Sequence, residues 1–232
     1  MKRHLGFVPL LGLVLGLVAT IGWAPTARAA LQLEISDGTA TVNLADSDGD
    51  GIVSFIGPVG FFDFTMTAGL SKPMVGTAKA PQLHLTALAS SGAGTGTLTI
   101  KLSDVDFGLA VPALQFLTKF GGAAQGDVSL MAFVDTGNAA FGDSGPGVTK
   151  IVDLDSFILG NTRAVAPVDD SYSLTLIATI MHSAPIGKTR TTSLDVSIAV
   201  PEPGTLMLFG IGLLGLGLFW RRRRVGGLAA AA

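Results

Sequence analysis

Three aspartates spaced two apart give this chain its sharpest chemical constellation: Asp46-Ser47-Asp48-Gly49-Asp50-Gly51. Acids at loop positions one, three and five with glycine at six match the start of a calcium loop. There, alternate carboxylates converge on one hard cation and glycine permits the sharp turn. The carbonyl of Ile52 would serve at position seven. Position twelve is Gly57, where a bidentate glutamate should close the shell, so a cation here needs another segment or binds weakly. The other reading is a solvated Asp/Gly hairpin, which the same residues form readily. The sequence thus offers either no cofactor or calcium at Asp46, Asp48, Asp50 and Ile52.

Other candidates are weaker. Gly142-Asp143-Ser144-Gly145-Pro146-Gly147 resembles the nucleophile segment of chymotrypsin-type serine proteases, Gly-Asp-Ser-Gly-Gly-Pro, with His84 and then Asp104 or Asp106 preceding it in the proper order. His84, however, sits in the alternating Gln-Leu-His-Leu-Thr, and the match rests on turn-forming residues, so a loop is expected. A glycosidase needs two carboxyls flanking a sugar. Glu34 is the only glutamate between residues 30 and 199, and the aspartates sit in turn contexts such as Asp153-Leu154-Asp155 and Asp169-Asp170. No pair is singled out, so no catalytic residue is assigned. His182 ends a face reading Tyr172, Leu174, Leu176, Ala178, Ile180, which favours burial over catalysis. Thr39/Thr41, Thr65/Thr67 and Thr95/Thr97/Thr99 read as the wet faces of strands, with no regular repeat to make an ice-binding array.

The elements that must position these residues lie between two apolar segments. Lys2 and Arg3 precede an apolar run from Leu5 to Trp23, and Ala27-Arg28-Ala29 then offers the small-x-small pattern of a signal peptidase site, with cleavage before Ala30. At the other end Val200-Pro201-Glu202-Pro203-Gly204 leads into the uncharged Thr205–Trp220 stretch, closed by Arg221, Arg222, Arg223 and Arg224. Sixteen residues as a helix span about 24 Å, short of a hydrocarbon core of about 30 Å by an amount that arginine snorkelling and local thinning cover. The arginines should stay cytoplasmic, which places everything between the two segments outside the cytoplasmic membrane.

That C-terminal order of Val-Pro-Glu-Pro-Gly-Thr, a Leu/Gly-rich apolar stretch and an arginine cluster resembles the PEP-CTERM sorting domain. The resemblance implies processing by a membrane-embedded exosortase. The same tail is also called an ice-binding protein C-terminal domain, a label that implies no activity for this chain. Val225–Ala232, beyond the arginines, is longer than the pattern requires. The middle of the chain is also similar to a group of exported PEP-CTERM proteins of unassigned function. That similarity runs through residues 61–69, Ser91-Gly92-Ala93-Gly94-Thr95-Gly96 into Thr97–Ile100, Tyr172–Leu176 and Ile180–Ser183. The expected division is a signal peptide at 1–29, an exported domain at 30–199, the sorting signal at 200–224 and a cytoplasmic tail at 225–232.

Composition bounds the exported domain. Residues 30–199 carry 8 Lys plus Arg against 16 Asp plus Glu, a balance of −8 that the whole-chain value of −2 conceals. An acidic domain offers no basic patch for a nucleic-acid backbone. The absence of cysteine excludes disulfides, thiolate metal sites and cysteine nucleophiles.

Period-two alternation between glycine-rich turns runs throughout. Leu98, Ile100 and Leu102 face one way and Thr97, Thr99 and Lys101 the other. Further strands are expected at 31–35, 39–44, 52–56, 61–67, 82–88, 128–134, 148–152, 172–182 and 193–200, with one short helix over Val111–Phe120 begun by Pro112. This pattern predicts an all-β antiparallel sandwich of jelly-roll or immunoglobulin-like kind, with a signal helix before it and a single transmembrane helix after it. The expected role is a non-catalytic structural or adhesive domain of the cell envelope, cell surface or extracellular matrix. Its partners would be the membrane, signal peptidase, exosortase and an extracellular polysaccharide. The rival is a secreted carbohydrate-active or other hydrolase with an aspartate-based site.

Overall fold

The computed structural model describes residues 31–108, 114–143, 147–152, 157–165 and 171–200. The expected signal peptide with Ala27, Ala29 and Ala30, the apolar tail, Pro201–Gly204 and Arg221–Arg224 lie outside these residues, as does Ser144. Among the described residues no helix is long and apolar enough to cross a membrane.

Strands β1 Gln32–Ser36, β2 Thr41–Ala45, β3 Ile52–Val59, β4 Phe62–Leu70, β5 Gln82–Ser91 and β6 Gly94–Phe107 form the first half of the chain. β7 Leu114–Ala124, β8 Asp127–Asp135, β9 Gly147–Val152, β10 Phe157–Val165, β11 Tyr172–Ala184 and β12 Arg190–Ala199 form the second. They make two six-stranded sheets, ordered β2-β1-β6-β11-β8-β9 and β10-β7-β12-β5-β4-β3. Every described pairing is antiparallel. The protein is an all-β two-sheet sandwich, as its alternation requires.

The last eight strands read as one long hairpin. At its tip β8 pairs with β9, then β7 with β10, β6 with β11, and β5 with β12. Each successive pair falls in the opposite sheet, so the ribbon wraps around a single core. β1 and β2 extend one sheet beyond β6, and β3 and β4 extend the other beyond β5. Leu33, Ile35, Leu85, Leu98, Ile100, Leu102, Leu176, Val196 and Ile198 are all buried between the sheets. Each such side chain contributes roughly 1.5–3 kcal/mol of hydrophobic stabilisation.

One expectation needs correction, and one strand is new. The helix over Val111–Phe120 is not formed: Leu114–Ala124 is strand β7, hydrogen-bonded on both sides by β10 and β12. Phe116, Thr118 and Phe120 are buried while Leu117 and Lys119 are not, a period-two face that Thr118 disguises in the sequence. Strand β10 was not expected at all, because Gly160-Asn161 interrupts its apolar run.

The sandwich has two distinct ends. One gathers both limits of the described domain: Leu31 and Val200, the loop 46–51, the loop 71–81, the loop after Phe107 and the loop 136–143. Leu31 accepts from the Asp46 N–H at 2.9 Å, and the Val200 N–H donates to the Pro81 carbonyl at 2.9 Å. Among the described residues the other end carries tight turns, at residues 37–40, 60–61, 92–93, 125–126 and 185–189.

Candidate functional site

The acidic loop joins β2 to β3 at the end where Leu31 and Val200 sit. Carboxylate oxygens of Asp46, Asp48 and Asp50 lie within 4.8 Å of one another, so the structure brings the three predicted acids together. Ile52, the fourth predicted ligand, opens β3 and pairs with Leu70. Gly57 lies within β3, opposite Phe64 at a bulge, and cannot supply a carboxylate.

Much of what holds the loop is internal. Asp46 Oδ1 accepts from the amides of Gly49 at 2.7 Å and Asp50 at 3.2 Å, while Oδ2 accepts from Gly51 at 2.8 Å. Burial pushes the Asp46 carboxyl up, and the Gly51 and Gly49 amides more than offset it, holding the group below its ordinary value of 3.8. Asp50 Oδ1 likewise accepts from Ile52 at 2.8 Å. Gly51 has φ +82°, and a Cβ there would lie 2.6 Å from the Ser71 carbonyl oxygen. Glycine at position six is thus required by packing onto the next loop whether or not a cation binds.

Beneath that loop lies a buried ion pair that sequence reasoning missed. Lys72 Nζ stands 3.0 Å from Asp104 Oδ2, with the aspartate side chain fully buried. Ser71 Oγ donates to the same oxygen at 2.5 Å, and the Val105 amide donates to Asp104 Oδ1 at 2.8 Å. Lys72 Nζ also donates to the Val105 carbonyl and lies 4.0 Å from the centre of the Phe107 ring. Both charges are fully engaged, so the pair is a structural clasp between the two sheets. Only its acid left a signal: the inward positions Leu98, Ile100 and Leu102 continue to Asp104.

The protease-like arrangement is not assembled. His84 is on β5, its Nε2 2.9 Å from Asp195 Oδ1 on the outer face. Asp104 is committed to Lys72, and Asp106 exchanges hydrogen bonds with Asn138, 2.8 Å from its amide and 2.7 Å from its carboxylate.

His182 is fully buried at the opposite end. Its Nδ1 is 2.8 Å from Ser91 Oγ and its Nε2 2.8 Å from Thr192 Oγ1, while the Phe62 ring centre is 5.3 Å away. Burial, helped by the positive charge of Arg190, lowers its pKa from the ordinary 6.5. With both nitrogens occupied by hydroxyls and no opening to solvent, this is a core histidine bridging two sheets.

The outer face of the β1-containing sheet carries aligned hydroxyls. The register places Thr41, Ser36, Thr99, Thr179 and Ser129 in one row across five strands, with Thr97 and Thr95 continuing along β6. Beside them is a shallow, open hollow of about 360 Å³ lined by Glu34, Ser36, Asp37, Gly38, Thr97, Thr99 and Lys101. Its two carboxyls are taken. Glu34 Oε1 is 2.8 Å from Lys101 Nζ, and Asp37 accepts from the Thr39 and Ala40 amides, the Thr39 hydroxyl and, across the sheets, the Phe61 amide at 2.8 Å. Hydrogen bonds from Ala40, Phe61 and Thr39 hold the Asp37 carboxyl far below the usual carboxylate range.

Fold and surface together define an antiparallel β-sandwich whose described residues show no assembled catalytic set. The chain continues directly from β12 into a sorting signal: residues 199–224 match the PEP-CTERM protein-sorting motif. That motif marks an exported protein routed to the cell envelope and implies processing by exosortase, as the tail's order of elements led one to expect. No curated protein matches the chain. Among solved structures, the enzymatically active domain of bacteriophage CBA120 tailspike protein 4 matches at 11% identity and TM-score 0.34, over 55% of this chain and 18% of that one. A CBM4 structure matches at 14% identity and TM-score 0.30, over 66% and 98%. TmCBM61 in complex with beta-1,4-galactotriose matches at 9% identity and TM-score 0.31, over 64% and 86%. The chain therefore spans less than a fifth of the tailspike, and at these scores none of the three carries a functional argument.

Proposed function

We propose that this chain is a non-catalytic, exported jelly-roll domain that acts as a structural or adhesive component at the cell surface or in the extracellular matrix. The jelly-roll reading is supported by the nested pairs β8/β9, β7/β10, β6/β11 and β5/β12, distributed alternately over two sheets. Signal peptidase removes residues 1–29, and Thr205–Trp220 with Arg221–Arg224 holds the protein in the cytoplasmic membrane until exosortase acts.

The observation that carries the reading is the PEP-CTERM motif continuing without a linker from a domain whose described residues hold no assembled catalytic set. The broad hydroxyl face around Thr97, Thr99 and Thr179 suits an extended, hydroxyl-rich polysaccharide, which it would meet by many weak hydrogen bonds rather than in a deep pocket. Mass spectrometry of the mature protein from its native host gives both termini and any attached group. The expected species begins at Ala30 and ends upstream of the arginines. A chain beginning at Met1, or ending at Ala232 in the extracellular fraction, would overturn the export and sorting scheme. Cosedimentation of the mature chain with matrix polysaccharide should fall several-fold in a Thr97→Ala/Thr99→Ala/Thr179→Ala variant, and unchanged binding removes the face from the proposal.

A further inference from the structure

The first two residues of the sorting motif are part of the folded domain. The motif begins at residue 199. Ala199 is the last residue of β12, paired with Gln82 on one side and Leu117 on the other. Val200 is only 5% exposed, and its N–H is fixed to Pro81 at 2.9 Å. Only Pro201-Glu202-Pro203-Gly204 then separates this wall from the apolar stretch that opens at Thr205. Four residues, fully extended, reach at most about 14 Å.

We infer that the end of the sandwich carrying Val200 is the surface that lies against the outer face of the membrane, its partner being the lipid headgroups. The inference rests on the proposed reading of Thr205–Trp220 as the membrane segment. A tether this short leaves the domain little freedom to turn over. β12 is 10 residues long, about 33 Å at strand rise, which sets the tight-turn end that far along the strand from the tether. The loop 46–51, the loop 71–81 and the loop 136–143 are the parts brought close.

The end so placed also differs in its backbone. Asp106, Asn138 and Phe141, at φ 59°, 54° and 57°, are the described non-glycine residues with left-handed backbone, and all three lie there. Asn138 binds Asp106 and Ser171, and the Phe141 amide donates to Ser103 Oγ at 2.9 Å. Such conformations persist where surrounding contacts over-determine them, as these hydrogen bonds do for Asn138 and Phe141. Asp46, Asp48, Asp50, Asp106 and Asp143, against the exposed Lys79, make its described part acidic. Contact with anionic headgroups is therefore imposed by the tether against a repulsion that fades beyond about 10 Å at 0.1 M salt.

The cysteine-free chain allows a clean test. Single cysteines are introduced into the chain from Ala30 to Ala232, which lacks the apolar run at the N-terminus, as Asp48→Cys at one end and Ile186→Cys, where the native side chain is 97% exposed, at the other. Both carry the same thiol-reactive fluorophore. Each protein is reconstituted into vesicles of equal parts phosphatidylethanolamine and phosphatidylglycerol containing a headgroup spin-labelled quencher. The position-48 label should be quenched several-fold more than the position-186 label, and a long Gly/Ser linker inserted between Val200 and Pro201 should remove the difference. Met74→Cys, on the loop 71–81, repeats the near-end measurement if Asp48→Cys disturbs its loop. Equal or reversed quenching in a chain that floats with the vesicles overturns the orientation alone. A difference surviving the linker overturns the tether as its cause, and a chain that fails to float overturns the membrane segment and the orientation with it.

Discussion

The two ends of the sandwich bury polar groups in opposite ways. Beneath the end that carries Leu31 and Val200, Lys72 and Asp104 are held as charges, supported by a serine hydroxyl, backbone groups and an aromatic face. At the tight-turn end His182 spans the same gap between sheets as a neutral ring held by two hydroxyls. The difference follows from what each end must join. Long loops supply backbone donors and acceptors enough to close the shell around an ion pair, whereas short turns supply few, and a group with one donor and one acceptor suffices.

The comparison can be broken most forcefully at the charged cluster. Asp104→Ala leaves Lys72 buried and unpaired, and should lower unfolding stability by about 3–5 kcal/mol in urea melts. The double change Lys72→Met/Asp104→Leu should recover most of that loss, and if it does not, the pair is not a replaceable clasp. At the other end His182→Leu should cost about 2–3 kcal/mol by stranding the Ser91 and Thr192 hydroxyls.

The same variant sharpens the contrast through pH. The folded chain holds the His182 pKa below 6.5, so the stability it contributes is complete above that value. It is lost as pH falls toward the lowered pKa, because the unfolded chain then binds a proton the folded chain resists. Melting temperature should therefore decline below pH 6.5 in the wild type and less steeply in His182→Leu, and identical slopes would exclude the histidine. Asp37 acts in a lower window: its contribution is present above 3.8 and fades as pH falls below that.

Gly60→Ala tests the Asp37 tie directly. At φ +54° the new Cβ would stand 1.8 Å from Asp37 Oδ2, and the strain should cost about 1–3 kcal/mol. Asp37→Asn in the Gly60→Ala background should add little if the clamp is already lost. The smallest effect is expected from calcium. With Asp46 satisfied by its own loop amides, millimolar Ca²⁺ should raise the melting temperature of the full chain by no more than about 2 °C. A clearly larger rise, abolished by Asp48→Asn/Asp50→Asn, would make the loop a metal site.

Residues whose alternation is unbroken announced themselves. Leu98, Ile100 and Leu102 in β6, and Leu174 to Ile180 in β11, are inward as their spacing requires. β7 was illegible because Leu114, Leu117 and Phe120 mimic helical spacing while Thr118, polar and buried, interrupts the true inward face. The acidic triplet was visible because it is local in sequence. The ion pair was not, since Lys72 and Asp104 are 32 residues apart and a lysine after a strand ordinarily marks solvent. The hydroxyl row required the cross-strand register, which no single strand encodes.

β11 lies between β6 and β8 in one sheet, and β12 lies between β7 and β5 in the other. The two strands that arrive last are thus interior members of both sheets. A polypeptide emerging N-terminus first can zip β1 to β2 and β3 through β5, yet its remaining halves have no common neighbour until Tyr172–Ala199 appears. Such late, long-range closure makes for slow assembly. Completion of the two-sheet wrap therefore waits for β12, whose last residue, Ala199, is also the first residue of the sorting motif.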